Sequence, residues 1–238
     1  MAQTARQAAG AAAAALVQPD MVLGLGTGDT AACFIRALAA RVTAEPGLRS
    51  LRCVATSTRS AQLGAGLGLS IVDLDSLDLT TERPIDLTVD GADEIDPQLQ
   101  LVKGAGGALL FEKLVATASR KLVIVADRGK QVTRLGEKRL LPVEIVAFGA
   151  QRTLARLQRQ PGVTSATLRL NAGTPYTTDG GHYIVDLGFN LSPLLSAATL
   201  HDRLKALSGV VETGFFLGEA SQVLIGEDDG SVVDLSRG

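Results

Sequence analysis

Apolar residues in the first half of the chain come in short unbroken runs rather than in alternation. MVLGLG, LRCVAT, DLTVD and the unusually apolar KLVIVAD each read as a strand buried on both faces. Segments with helical spacing separate them: Thr4 to Val17, Thr30 to about Thr43, Ser57 to Gly66, and a helix after Gly104 that runs through ALLFEKLVATA. Ser57 is placed to cap the third of these. Strands rich in Val, Leu and Ile that alternate with helices predict a parallel sheet covered on both faces, with ligands beyond the carboxyl ends of the strands.

The pattern changes from about Leu135. PVEIVAF, VTSATLRL and GHYIVDLGF read as strands, and the helices between them lack the Gly-rich strand ends seen earlier. The last strands, QVLIG and SVVDL, are joined by EDDG, whose Asp-Gly pair suits a hairpin returning to the large domain. The predicted fold class is therefore α/β, a Rossmann-like parallel-sheet domain over residues 1–134 and 218–238 with a second, smaller α+β domain over 135–217.

Composition narrows the functional classes. With 46% hydrophobic and 20% charged residues among 238, the chain can bury a core that offsets its ordering entropy. A net charge of -2 supplies no overall field for nucleic acid or an anionic membrane, and the N-terminus shows neither a helix-turn-helix pattern nor a basic patch. Any anion site must be local. The Ala-rich AAGAAAAALV is too short to span a membrane and lacks the basic start of a signal peptide. Cys33 and Cys53 lie in apolar surroundings without metal-ligand spacing and read as small buried hydrophobes. A cytoplasmic protein with reduced thiols is expected.

Two constellations carry chemistry. GLGTGDTAA sets Gly24, Gly26 and Gly28 at a strand end, where backbone amides can approach a ligand, with Thr27 and Thr30 as hydroxyl donors. It serves either as a phosphate cradle or merely as a tight turn. It lacks the Gly-Lys-Ser/Thr of a triphosphate loop and the third glycine of the dinucleotide fingerprint, which favours a smaller phosphate ester.

The second constellation, VDGADEID, crowds Asp90, Asp93, Glu94 and Asp96 into one turn, a costly arrangement unless a cation such as Lys103 sits nearby. A calcium loop or a solvated turn is the alternative; against calcium, the spacing does not match a twelve-residue loop ending in glutamate. Lys103 opens KGAGGALLFEK, whose glycines expose amides suited to a developing oxyanion. Glu112, among Leu109, Leu110 and Phe111, is either a general base in an apolar setting or an exposed helix glutamate beside Lys113.

GLGTGDTAA, TVDGADEID, KGAGGALLFEK, VADRGKQV, LPVEIV and SGVVETGFF occur in the order and spacing of ribose-5-phosphate isomerase type A, and the chain resembles that family over almost its whole length. The resemblance implies reversible interconversion of ribose 5-phosphate and ribulose 5-phosphate through an enediolate, with no metal and no organic cofactor. It gives Glu112 the role of proton-carrying base, and Asp90, Asp93 and Lys103 that of holding and polarising the sugar oxygens. Thr27, Gly28 and Thr30 match the phosphate loop and Lys130 a basic phosphate contact, while Arg6 stands where some members have lysine. A small-molecule sugar phosphate as partner and a homodimer or homotetramer are likewise implied.

Two positions depart from the family pattern, Ala105 within the glycine run and Asp29 where Ser or Thr is usual. A carboxylate beside a phosphate dianion repels it, so Asp29 is expected to cap the following helix and turn away, with Arg6 and Lys130 balancing the charge. Asp29 also raises the alternative of an isomerase for a related or unphosphorylated aldose. A non-catalytic sugar-phosphate sensor and a coenzyme A transferase relative are the other classes; the first lacks a DNA-binding segment here, and the second fits poorly with the Lys103, Asp90 and Asp93 cluster. His182 and His201 fall outside these motifs and read as surface or structural.

Overall fold

The computed structural model of the chain describes residues 2–236. The chain forms two compact units, one comprising the residues to Ala92, Phe111–Lys130 and those from Gly218 on, the other Asp93–Leu110 and Gln131–Leu217.

The first unit is built on a six-stranded sheet. Its strands run in the order Val232–Ser236, Ala220–Gly226, Leu122–Asp127, Leu87–Asp90, Val22–Leu25, Arg52–Ala55. All neighbours are parallel except the first pair, the hairpin around the predicted Asp-Gly turn. The unbroken apolar runs are explained by burial on two faces. Leu23 and Leu25 face a core shared with Phe34, Ile35 and Leu38 of the helix Asp29–Ala44 and with Ala9 and Ala13 of the helix Ala2–Ala15. Val22 and Val54 face the other way, against Ile85 and Val115.

The Ala-rich stretch has a packing function: a Cβ on Gly10 would lie 2.6 Å from the Phe34 amide nitrogen, so only small residues let these two helices approach. The first helix starts and ends about two residues earlier than its apolar spacing predicts. Ser57 caps the helix Thr58–Gly66 as expected, accepting from the Ser60 amide. Cys53 is buried, and its thiol is pushed up to about 12 by desolvation, whereas Cys33 is half-exposed on the helix surface and is not the buried hydrophobe expected.

The second unit holds an antiparallel four-stranded sheet in the order Val210–Thr213, Leu141–Ile145, Tyr183–Phe189, Val163–Leu168. The helices Ala150–Leu157 and Ala197–Lys205 cover it around Leu141, Val143, Val185, Leu187, Leu200 and Phe215. A small antiparallel sheet pairs Phe215–Phe216 with Leu101–Val102 and that with Glu94–Ile95. This pairing is why residues 93–110 belong to the second unit, where the sequence pattern had put them, with 131–134, in the large domain. Among the described residues no helix is long and apolar enough to cross a membrane.

Candidate active site

In the first unit, the carboxyl ends of Val22–Leu25, Arg52–Ala55 and Leu87–Asp90 bring the glycine loop, a cluster of hydroxyls and an acid together. Asp90 ends its strand with the side chain inward, 1% exposed, and its Oδ1 accepts from the amides of Thr27 (2.9 Å) and Gly91 (2.7 Å). Gly26 is required by closeness, since a Cβ there would stand 2.2 Å from Asp90 Oδ1. Gly28 is required by conformation, with φ of 110° at the residue before the helix Asp29–Ala44.

Thr27 Oγ1 lies 2.8 Å from both Thr56 Oγ1 and Ser57 Oγ and 3.2 Å from Ser60 Oγ, and Ser60 Oγ donates to the Gly26 carbonyl (2.7 Å). Thr56, Ser57 and Ser60 thus belong to the loop's hydroxyl cluster, a role the sequence reading missed beyond Ser57 as a cap. The TSTRS run immediately after a strand was the available signal. Thr30 is buried in the first turn of the helix.

Asp29 does not cap. Gly28 occupies the cap position without a side-chain hydrogen bond, and Asp29 begins the helix with its side chain 67% exposed. Its two oxygens lie 3.5 Å from Arg6 Nη1 and 3.5 Å from Arg59 Nη2. The carboxylate thus faces two cations, and Arg59 was not among the predicted residues. Arg6 also donates through Nε to Asp127 (3.4 Å), at the end of the strand Leu122–Asp127. Lys130 follows in the short turn Arg128–Lys130, half-buried. Arg6 and Asp29, with Arg36, Arg59 and Cys33, line a cavity of about 470 Å³.

Glu112 lies in the first turn of the helix Leu109–Thr117 and is 5% exposed, which excludes the exposed helix glutamate. Its Cγ and carboxylate therefore sit within protein rather than solvent.

In the second unit, Asp93 Oδ2 accepts from the Ala105 amide (2.9 Å), so it braces the loop that follows Lys103. Lys103 is 2% exposed, its ammonium 5.3 Å from the Phe216 ring centroid. Glu94 and Asp96 have structural partners: Glu94 accepts from the amides of Gly136 (2.6 Å), Lys138 and Arg139 (2.8 Å), and Asp96 from those of Gln98 and Gln100 (both 2.9 Å). Backbone amides, absent from the sequence argument, relieve much of the crowding that it assigned to a cation.

Comparison with known proteins gives the family. The model of ribose 5-phosphate isomerase A (phosphoriboisomerase A) matches residues 52–230. Ribose-5-phosphate isomerase A of Ruegeria pomeroyi is 46% identical over 95% of this chain and 85% of its own length. The chain belongs to the ribose 5-phosphate isomerase A family. Among solved structures, ribose 5-phosphate isomerase A of Methanocaldococcus jannaschii superposes with a TM-score of 0.88 at 33% identity over 98% of both chains. A D-ribose-5-phosphate isomerase in complex with phospho-erythronic acid does so with a TM-score of 0.89 at 31% identity, over 98% of this chain and 97% of that one. In this member of the family both histidines have structural partners: His182 Nδ1 lies 3.0 Å from buried Glu144, and His201 Nδ1 lies 2.7 Å from Thr213 Oγ1.

Proposed function

We infer that the chain interconverts ribose 5-phosphate and ribulose 5-phosphate. The observation that carries this reading is the 2.9 Å hydrogen bond from the Thr27 amide to Asp90: it ties a glycine and hydroxyl loop suited to a phosphate to a buried acid suited to a sugar hydroxyl. The relative that binds phospho-erythronic acid, a phosphorylated sugar acid, supports the same class of substrate.

In this reading Glu112 takes the C2 proton of the open-chain aldose. The C–H electron pair becomes the C1–C2 double bond and the C1 carbonyl oxygen takes the charge, giving the enediolate. Glu112 returns the proton to C1, while the O2 hydroxyl proton is lost and the O1 oxygen gains one, leaving the ketone at C2. Asp90 and Asp93 orient the hydroxyls, and Lys103 with the loop amides stabilises the negative oxygen, the step that makes so weak a carbon acid reactive. Thr27, Gly28, Thr30, Arg6 and Lys130 hold the phosphate, and Asp29 is a modifier of that end.

The family reading also carries a cytoplasmic homodimer or homotetramer. The almost fully exposed side chains of Phe148 and Leu194 support it as apolar surface that a second copy would cover.

Proton NMR of the protein with ribose 5-phosphate in heavy water tests the reaction and its mechanism together. Ribulose 5-phosphate should form with deuterium at the exchanging carbon, and Glu112→Gln should bind substrate but lose roughly 10²–10⁴-fold in kcat. A parent protein that leaves ribose 5-phosphate unchanged refutes the function, and a Glu112→Gln variant with normal turnover refutes the role.

A further inference from the structure

The loop after Lys103 is held from one side by a residue that no motif singles out. Arg169 grips Asp186 with two nitrogens, Nε to Oδ2 at 2.9 Å and Nη2 to Oδ1, which fixes the plane of its guanidinium. Its remaining nitrogen, Nη1, donates to the carbonyls of Gly104 (3.1 Å) and Ala105 (3.0 Å). Tyr176, whose ring lies 5.8 Å below the guanidinium carbon, donates through its hydroxyl to the Gly106 carbonyl (3.3 Å). Three successive carbonyls of the glycine loop are therefore taken by two side chains, Arg169 and Tyr176. A Cβ on Gly107 would meet Tyr176 Oη at 2.4 Å, so the loop can lie this close only with glycine there.

The consequence follows from peptide planarity. In a trans peptide the N–H points opposite to the preceding carbonyl. With the Gly104 and Ala105 carbonyls both converging on Arg169, the amides of Ala105 and Gly106 point away from it. The Ala105 amide is received by Asp93. The Gly106 amide has no acceptor among the described residues and sits in an exposed turn.

We propose that Arg169 is a positioning residue for the isomerisation: by holding the carbonyls of Gly104 and Ala105 it aims the Gly106 N–H at the oxygen that becomes negative in the enediolate. This rests on the function inferred above. Arg169 acts through the loop and does not touch the substrate. A lysine cannot grip Asp186 and two carbonyls at once, because it lacks the planar fork.

The test is steady-state kinetics of Arg169→Gln and Arg169→Lys, with inhibition by inorganic phosphate and by phospho-erythronic acid. A donor left mobile rather than deleted costs less than the 10²–10³-fold of a lost oxyanion donor, so kcat of Arg169→Gln should fall about tenfold. KM for ribose 5-phosphate and Ki for phosphate should stay within about twofold, while Ki for phospho-erythronic acid, whose carboxylate carries charge at the reacting end, rises about tenfold. Arg169→Lys should recover part of kcat. Unchanged kcat overturns the proposal, as does a phosphate Ki that rises in step with the loss, which marks a general loosening. If Arg169→Gln does not fold, Arg169→Lys, which keeps the charge but lacks the planar fork that holds both carbonyls, decides by the same pattern at about threefold. A parent inactive on ribose 5-phosphate would instead sink the inferred function, so the two failures are distinguishable.

Discussion

Adding one methyl group at Gly26 should disable the site by moving Asp90. The Cβ of Gly26→Ala would stand 2.2 Å from Asp90 Oδ1, 2.3 Å from Cγ and 2.5 Å from Cα. The carboxylate alone could rotate away, but Cα belongs to the backbone of a strand paired on both sides. Reaching ordinary carbon contact requires the two segments to part by about 1 Å. The bond that Asp90 accepts from Thr27 (2.9 Å), which joins the two segments, then passes the length at which a hydrogen bond survives. A charge-assisted bond to a buried carboxylate contributes about 1.5–3 kcal/mol, so a loss of about 2 kcal/mol in stability is expected. A displacement of this size at a reacting group costs on the order of 100-fold in kcat/KM. Chemical denaturation and an isomerase assay corrected for the folded fraction measure the two effects. Gly66→Ala is the control, since a Cβ there meets nothing within 4 Å. Should Gly26→Ala keep parental stability and activity within twofold, the close approach of loop and acid is not what fixes Asp90.

Two further substitutions probe charge at the two units separately. Asp29→Ser removes a carboxylate that the inferred function puts at the phosphate end and that is already shared by Arg6 and Arg59; the residual repulsion is about 1 kcal/mol, so KM for ribose 5-phosphate should fall about fivefold with kcat unchanged, and an equal or higher KM would show that the paired carboxylate does not oppose phosphate. Glu94→Gln turns one acceptor oxygen of a side chain that is 0% exposed into a donor facing backbone amides, which should lower Tm by on the order of 10 °C in a thermal scan; no change in Tm would mean that the three amides are satisfied some other way.

The parallel sheet was legible because its strands are buried on two faces and therefore lack polar positions, a pattern that a helix and a half-exposed strand do not share. Ser57 was legible as a cap because a serine directly before helical spacing can accept from a first-turn amide. The pairing of Glu94–Ile95, Leu101–Val102 and Phe215–Phe216 was not, because two-residue strands carry no periodicity and one partner lies more than a hundred residues away. Arg169 was invisible for a related reason. Its partners Asp186, Gly104 and Ala105 are brought to it only by the antiparallel sheet and the loop, so nothing beside it in the chain marks it. At Asp29 the expectation failed on register: Gly28, with φ of 110°, takes the cap position, so Asp29 falls in the first turn, where its exposed carboxylate faces Arg6 and Arg59.

The acidic turn shows how one short sequence serves two purposes. Read as charge alone, VDGADEID is a cluster that demands a cation. In the folded chain its carboxylates separate by direction: Asp90 turns to the amides of Thr27 and Gly91, Asp93 to Ala105, Glu94 to a turn at residues 136–139, and Asp96 to its own chain two and four residues on. Amides are dipoles fixed by the fold, so they offset the charge without adding a mobile counter-ion to the site. Glu94 and Asp96 therefore shape the backbone on which Asp93 and Lys103 stand, while Asp90 and Asp93 each bind a glycine-rich loop. The acids that the inferred reaction uses are thus also the groups that hold the loops in place, and a change at either acid is expected to alter loop geometry and chemistry together.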